Sequence, residues 1–162
     1  MPIQRSIQAV STLLTVLLLV VPVHGSEKVF IDADVGGAAG TDNQSMLMLL
    51  QSPDIDVLGI SIVSGDGWAR ASTQYALRML ELTGHGDVPV AQGAVFPLIN
   101  SREETEMWED QFGEFAYKGI WNERSYHDPF DLPELPAGTP TIEAVDKHGV
   151  NLMIETLRKY PG

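Results

Sequence analysis

The chain has 162 residues, 22 acidic against 10 basic side chains, a formal net charge of −12 and no cysteine. Its length fits one domain. The acidic balance argues against nucleic acid or an anionic membrane surface as a partner. Without thiols, disulfides and thiolate metal sites are excluded, so cohesion must come from the core, from an oxygen-ligated metal or from partners.

Residues 1–25 read as a leader. Arg5 is followed by the apolar run Ala9–Val23, AVSTLLTVLLLVVPV, which is short for a membrane span. Val23-His24-Gly25 then offers a small residue for signal-peptidase cleavage before Ser26. The expectation is a secreted or periplasmic protein with no stable membrane insertion after cleavage; an uncleaved anchor is the alternative.

The stretch that organises the remainder is Val29–Leu50, VFIDADVGGAAGTDNQSMLMLL. Val29, Phe30 and Ile31 predict a buried strand. Asp32 and Asp34 fall at its end, and a loop with Gly36, Gly37 and Gly40 leads to Thr41-Asp42-Asn43. The spacing then turns helical, with Met46, Leu47, Leu49 and Leu50 on one face. Strand, acidic glycine loop and helix is the arrangement in which α/β proteins bind ligands, outside the carboxyl ends of their strands.

Ile55–Val63 predicts a second strand, entered through the turn Pro53-Asp54 and left through Ser64-Gly65-Asp66-Gly67. Ala69–Leu82 predicts a helix with Ala76, Leu77, Met79 and Leu80 on its apolar face, ending at Gly84 and Gly86. Asp87–Ala91 predicts a short third strand and Gly93–Leu98 a loop. The alternation predicts an α/β fold: a parallel sheet with flanking helices and right-handed crossovers.

Residues 99–140 read as a long aromatic and proline-rich excursion, with Glu103–Phe115 as a short helix. It carries Trp108, Phe112, Phe115, Tyr117, Trp121, Tyr126 and Phe130, then the tail DPFDLPELPAGTP. Excursions of this length are functional lids or disordered, and the aromatics argue against simple disorder. Packing onto the domain and stacking on a substrate are both open. A last helix is predicted from a Thr141 cap to Tyr160-Pro161-Gly162, with Val145, Val150, Met153, Ile154 and Leu157 facing the core.

Oxygen ligands at a strand end and across a flexible loop suit Ca²⁺ or Mg²⁺. Such a cation lowers the pKa of water, and a nearby carboxylate can accept the proton. The same side chains also serve as helix caps and polar turns, with Asp42 or Asn43 as the N-cap. The spacing alone leaves both readings open.

The segments IDADVGG…TDN…LMLL, SPDIDVLGISIVSGD and DVPVAQGAVFPL occur in this order. Together they resemble the N-terminal part of the inosine/uridine-preferring nucleoside hydrolase family over Lys28–Leu98, and the ending at Pro161-Gly162 is similar to a family helix closing with PG. The resemblance implies a nucleoside-hydrolase-like, Rossmann-like α/β half at residues 26–162. It implies hydrolysis of the N-glycosidic bond of a small-molecule ribonucleoside to ribose and free base with bound Ca²⁺, commonly in homo-oligomers. Asp34 and Asn43 fall on metal-ligand positions, Asp42 on the general base and Asp66 on the ribose contact, with Asp32 supporting the loop. The chain departs from the family pattern in three places: seven residues, Val35–Thr41, separate Asp34 from Asp42; an Asp-Asp pair reads Asp42-Asn43; and the family chain is much longer, so the expectation is a truncated, N-terminal part. The family's second half supplies a further metal-binding Asp, a carbonyl ligand and an active-site His beyond the matched region. None of His85, His127 or His148 is assigned catalysis.

Two other classes compete. A non-catalytic exported nucleoside- or ribose-binding relic of the fold would keep the site without turnover. A haloacid-dehalogenase-like phosphohydrolase would use Asp32 as nucleophile, Asp34 as acid/base and Ser61 or Ser64 on phosphate. Its motif normally continues with Thr, where this chain has Val35-Gly36.

Overall fold

The computed structural model describes residues 25–122, 128–132 and 134–161. Three parallel strands, β1 (Glu27–Ala33), β2 (Ile55–Ile62) and β3 (Val90–Gln92), form one sheet in the order β1-β2-β3. Helix α1 (Thr41–Leu50) joins β1 to β2, and α2 (Ala69–Thr83) joins β2 to β3. After β3 come α3 (Arg102–Phe112), a 3₁₀ turn (Gly119–Trp121) and α4 (Gly149–Lys159). The α/β class with a parallel sheet and flanking helices is as predicted. The predicted leader lies outside the described residues apart from Gly25, as do Tyr126 and His127. Among the described residues no helix is long and apolar enough to cross a membrane.

Strand alternation sorts the sheet's side chains. Ile31, Ile60, Ile62 and Val90 join Met46 and Leu50 of α1 and Ala76, Leu77 and Leu80 of α2 in one buried cluster. Ser61 points the other way, against α4: a Cβ built on Gly149 would lie 2.8 Å from Ser61 Cβ and 3.2 Å from Gly93 Cα. The β1–β2 register slips by one residue after Val29, so that Phe30 pairs with Gly59. The ring of Phe30 fills the space a Cβ on Gly59 would need, at 3.0 Å.

The third strand begins later than predicted. Pro89 has no N–H for the ladder, but its carbonyl accepts Ile60 N–H at 2.9 Å, and regular pairing starts at Ile60–Val90. Helix α2 ends as predicted: Gly84 is left-handed at φ 78°, and His85 N–H reaches the Leu80 carbonyl at 2.8 Å. Helix α3 is capped by Ser101, whose Oγ accepts Glu104 N–H at 3.1 Å. It stops at Gly113 (φ 95°), short of the predicted Phe115.

The last helix requires two corrections. It starts at Gly149, capped by His148, so Thr141 is not its cap. Thr141 is held elsewhere, its N–H donating to Glu81 Oε1 at 3.1 Å, while Val145 N–H donates to the Val90 carbonyl at 2.8 Å. These tertiary bonds keep residues 141–147 out of a helix. The buried residues of α4 are Gly149, Leu152 and Thr156, whereas Val150, Ile154 and Leu157 are exposed. Contact with Ser61 and Gly93 requires the glycine side of the helix, which rotates the predicted apolar face outward.

This rotation is testable in urea. Leu152→Ala should destabilise the fold by about 2–3 kcal/mol, and Ile154→Ala by less than about 1 kcal/mol because its side chain is already in water. The reverse order would restore the predicted face.

Candidate active site

The site lies where β1 and β2 end. Asp34 follows β1 and Gly65-Asp66 follow β2, and the ladder carries on past both strands through Val63 N–H to the Ala33 carbonyl at 3.0 Å. Asp66 N–H then donates to Asp34 Oδ2 at 3.1 Å. That approach needs glycine at 65, where a Cβ would stand 2.7 Å from Asp34 Cγ and 2.8 Å from Asp34 Cβ. Gly67 is equally constrained, its built Cβ meeting Ser72 Oγ and the Val35 carbonyl, each at 2.8 Å. Ser72 Oγ donates to that carbonyl at 2.6 Å, pinning the first residue of the acidic loop to α2.

Asp42 and Asn43 sit in the first turn of α1 rather than at its cap, which is Gly40 and has no side-chain cap bond. The capping alternative for these two residues is therefore set aside. Asn43 is buried and donates through Nδ2 to the Gly37 carbonyl at 2.8 Å, closing the glycine loop onto the helix. With Nδ2 committed, its Oδ1 is buried with no hydrogen-bond partner. A buried acceptor without a donor is costly, and a hard cation is one group that would satisfy it.

Asp32 lies on β1 itself and accepts from Ser61 Oγ across the sheet. Asp66 is electrostatically loaded. Burial, then the negative charges of Asp34 and Asp42, push its carboxyl above the usual range. The three carboxylates therefore share one field, although among the described residues no group of three His, Cys, Asp or Glu side chains is placed to hold a metal by itself. His148 caps α4, and His85 follows α2 at its terminating turn.

The sequence reading left open whether the excursion packs on the domain or faces a ligand, and did not single out its contact with the carboxylates. A cavity of about 410 Å³ is lined by Asp34 and Asp66 together with Phe115, Tyr117, Lys118 and Trp121 of the excursion. The excursion is fastened there: Ile120 N–H donates to the Gly65 carbonyl at 2.8 Å, and Tyr117 donates its hydroxyl to Asp66 Oδ1. Lys118 Nζ lies 2.9 Å from Glu109, whose carboxyl is lowered by that bond and by the backbone N–H of Phe115. Trp121 packs edge-on against buried Trp68 with centroids 5.3 Å apart. The glycines at 65 and 119 were the available signal: a Cβ on Gly119 would stand 2.6 Å from the Gly65 carbonyl.

A parallel α/β sheet with clustered carboxylates and a roofed crevice at its carboxyl edge defines an α/β protein with a ligand site. The sequence model described as inosine-uridine preferring nucleoside hydrolase matches residues 29–162, and the chain belongs to that family. Uridine nucleosidase 1 of Arabidopsis thaliana is 39% identical over 136 residues, covering 84% of this chain and 34% of the relative. Pyrimidine-specific ribonucleoside hydrolase RihA of Citrobacter koseri is 31% identical over 133 residues, covering 82% and 36%. A solved inosine-guanosine nucleoside hydrolase superposes with a TM-score of 0.58 at 21% identity, over 85% of this chain and 35% of that one. The chain thus spans about a third of the length of these relatives.

Asp66 gives a pH prediction with a definite sign. Its pKa is raised in the folded state, so the native chain holds the proton to higher pH than the unfolded one. The destabilisation is fully present above the folded pKa and is relieved as pH falls toward the unfolded value. Asp66→Asn should therefore raise the Tm at pH 7, and its advantage should shrink on acidification through the carboxylate range. A constant offset from pH 7 to pH 4 would show that the charge is not the cause.

Proposed function

We propose that the chain forms the carboxylate half of a ribonucleoside hydrolase site, cleaving the N-glycosidic bond to ribose and free base. The observation that carries this reading is the bond from Asp66 N–H to Asp34 at the strand ends, where the charges of Asp34 and Asp42 both act on Asp66; the partnerless buried Oδ1 of Asn43 adds a free oxygen donor on the helix that follows the acidic loop. Family membership supports the reaction class, and the names of the relatives support uridine and other ribonucleosides as first substrates to try.

Asp34 and Asn43 would hold a Ca²⁺ ion, offering a carboxylate and an amide oxygen as hard donors. When bound, such an ion acidifies water and neutralises part of the local negative charge. Asp42 takes the proton from the attacking water as general base, with its carboxylate on the first turn of α1. Asp66 accepts from a ribose hydroxyl, and its own position is fixed by the backbone bond to Asp34. The cluster of negative charge favours the oxocarbenium-like transition state. Asp32 stiffens the strand end through Ser61. Export, with removal of residues 1–25, belongs to the same reading and rests on the leader's sequence.

A second reading, a non-catalytic ribose or nucleoside binder, is favoured by Asn43, which replaces a charged ligand with a neutral amide and weakens the hold on a cation. Belonging to the nucleoside hydrolase family leaves the phosphohydrolase roles of Asp32, Ser61 and Ser64 without support.

The test is release of free base from uridine and inosine in CaCl₂, with melting curves alongside. Asp42→Asn should lower turnover by about 10²–10⁴-fold, and Asp34→Ala should abolish the calcium-dependent rise in Tm. An unchanged calcium shift in Asp34→Ala would overturn the ligand assignment. Ribose binding without base release would select the binder.

A further inference from the structure

We propose that Tyr117 is an internal latch on the sugar subsite: its hydroxyl takes the Asp66 oxygen that a substrate hydroxyl needs, and it must swing away for the sugar to bind. The inference rests on the reading of Asp66 as the ribose contact and adds the element that regulates access to it.

Tyr117 and Asp66 line the same cavity, and the phenol donates to Asp66 Oδ1. The other carboxylate oxygen is turned into the acidic loop, 3.3 Å from a Cβ built on Gly36. Oδ1 is the oxygen the phenol occupies, and the bulk of the tyrosine ring beside it stands in the path of a sugar hydroxyl that reaches this oxygen through the cavity. A phenol and a sugar hydroxyl present the same donor to a carboxylate, so one stands in for the other.

The surroundings separate the side chain from its backbone. Phe115 N–H is held by Glu109 Oε1 at 2.8 Å, Lys118 by the same carboxylate, and Ile120 N–H by the Gly65 carbonyl at 2.8 Å. The backbone is thus tied down on both sides of residue 117. The Tyr117 side chain reaches Asp66 through its hydroxyl while the residue is 62% exposed, so solvent is at hand when that bond opens. Rotation about its side-chain bonds opens the latch without moving the backbone of the excursion, on the fast timescale of exposed rotamers. The closed latch taxes sugar affinity by the fraction of time it occupies Asp66.

The experiment is calorimetric titration of the full chain with D-ribose in CaCl₂ buffer, comparing wild type, Tyr117→Phe and Tyr117→Ala. Both variants lose the hydroxyl at an exposed position, and melting curves confirm that each is folded. The latch predicts that both bind ribose more tightly than wild type, with Kd lowered about two- to tenfold, the worth of one hydrogen bond. A Phe variant equal to wild type with a weaker Ala variant would make Tyr117 a stacking wall and overturn the latch. Weaker binding by both would make the hydroxyl a sugar contact, with the same consequence. Equal binding by all three would overturn the latch alone. No ribose binding by any of the three would overturn the ribose reading of Asp66 and the latch with it.

Discussion

The close approach of Asp34 to the backbone of Asp66 is the constraint on which the site depends. Two parallel strands end side by side, and the peptide after Gly65 donates directly into the carboxylate that follows β1. No side chain fits between them. The same absence of Cβ atoms at Gly65 and Gly119 lets the excursion settle onto the strand end through the Gly65 carbonyl. The adjoining Val35 is fully buried, and its carbonyl is tied to Ser72 on α2. The acidic loop is thereby anchored to the same helix that builds the core.

That geometry concentrates negative charge. Burial, together with the charges of Asp34 and Asp42, pushes the Asp66 carboxyl above its usual range. Without a counter-charge such an arrangement detracts from stability, and it persists because glycine contacts and the Asn43 bonds to the loop determine it independently. Two kinds of partner relieve it. A cation, as proposed for Asp34 and Asn43, would offset the negative charge, and a hydroxyl donor satisfies Asp66. Tyr117 already supplies the second from within the chain.

The strand ends were legible from the sequence because they are local. Apolar runs of three to eight residues closing on Asp-x-Asp or Gly-Asp specify strand, turn and exposed carboxylate with no knowledge of the rest. The α2 terminus at Gly84 was legible for the same reason. What failed was set at long range. Thr141 has the chemistry of a cap but is claimed by Glu81, and the apolar face of α4 was turned outward by the close fit of Gly149 on Ser61. Tyr117 was one aromatic among many until the excursion placed its hydroxyl against Asp66. Asn43 was read as an impoverished ligand; its burial and its bonds to the loop carbonyls show a structural duty that an aspartate, lacking N–H donors, would not perform.

The site is therefore assembled from two unlike sources. The carboxylates come from strand ends whose geometry is set by glycines and by the parallel ladder. The aromatic lining comes from the excursion, held largely by the outer face of α2, where Arg70 donates to the Phe130 carbonyl at 2.6 Å, Arg78 to the Ala137 carbonyl at 2.7 Å, and Glu81 accepts from Thr141. The two arginines grip backbone atoms, while side chains of the excursion add to the hold: Lys118 pairs with Glu109, and Trp121, seated on Trp68, fixes its depth. This division of sources lets a single tyrosine hydroxyl control Asp66 while the strand ends stay in place.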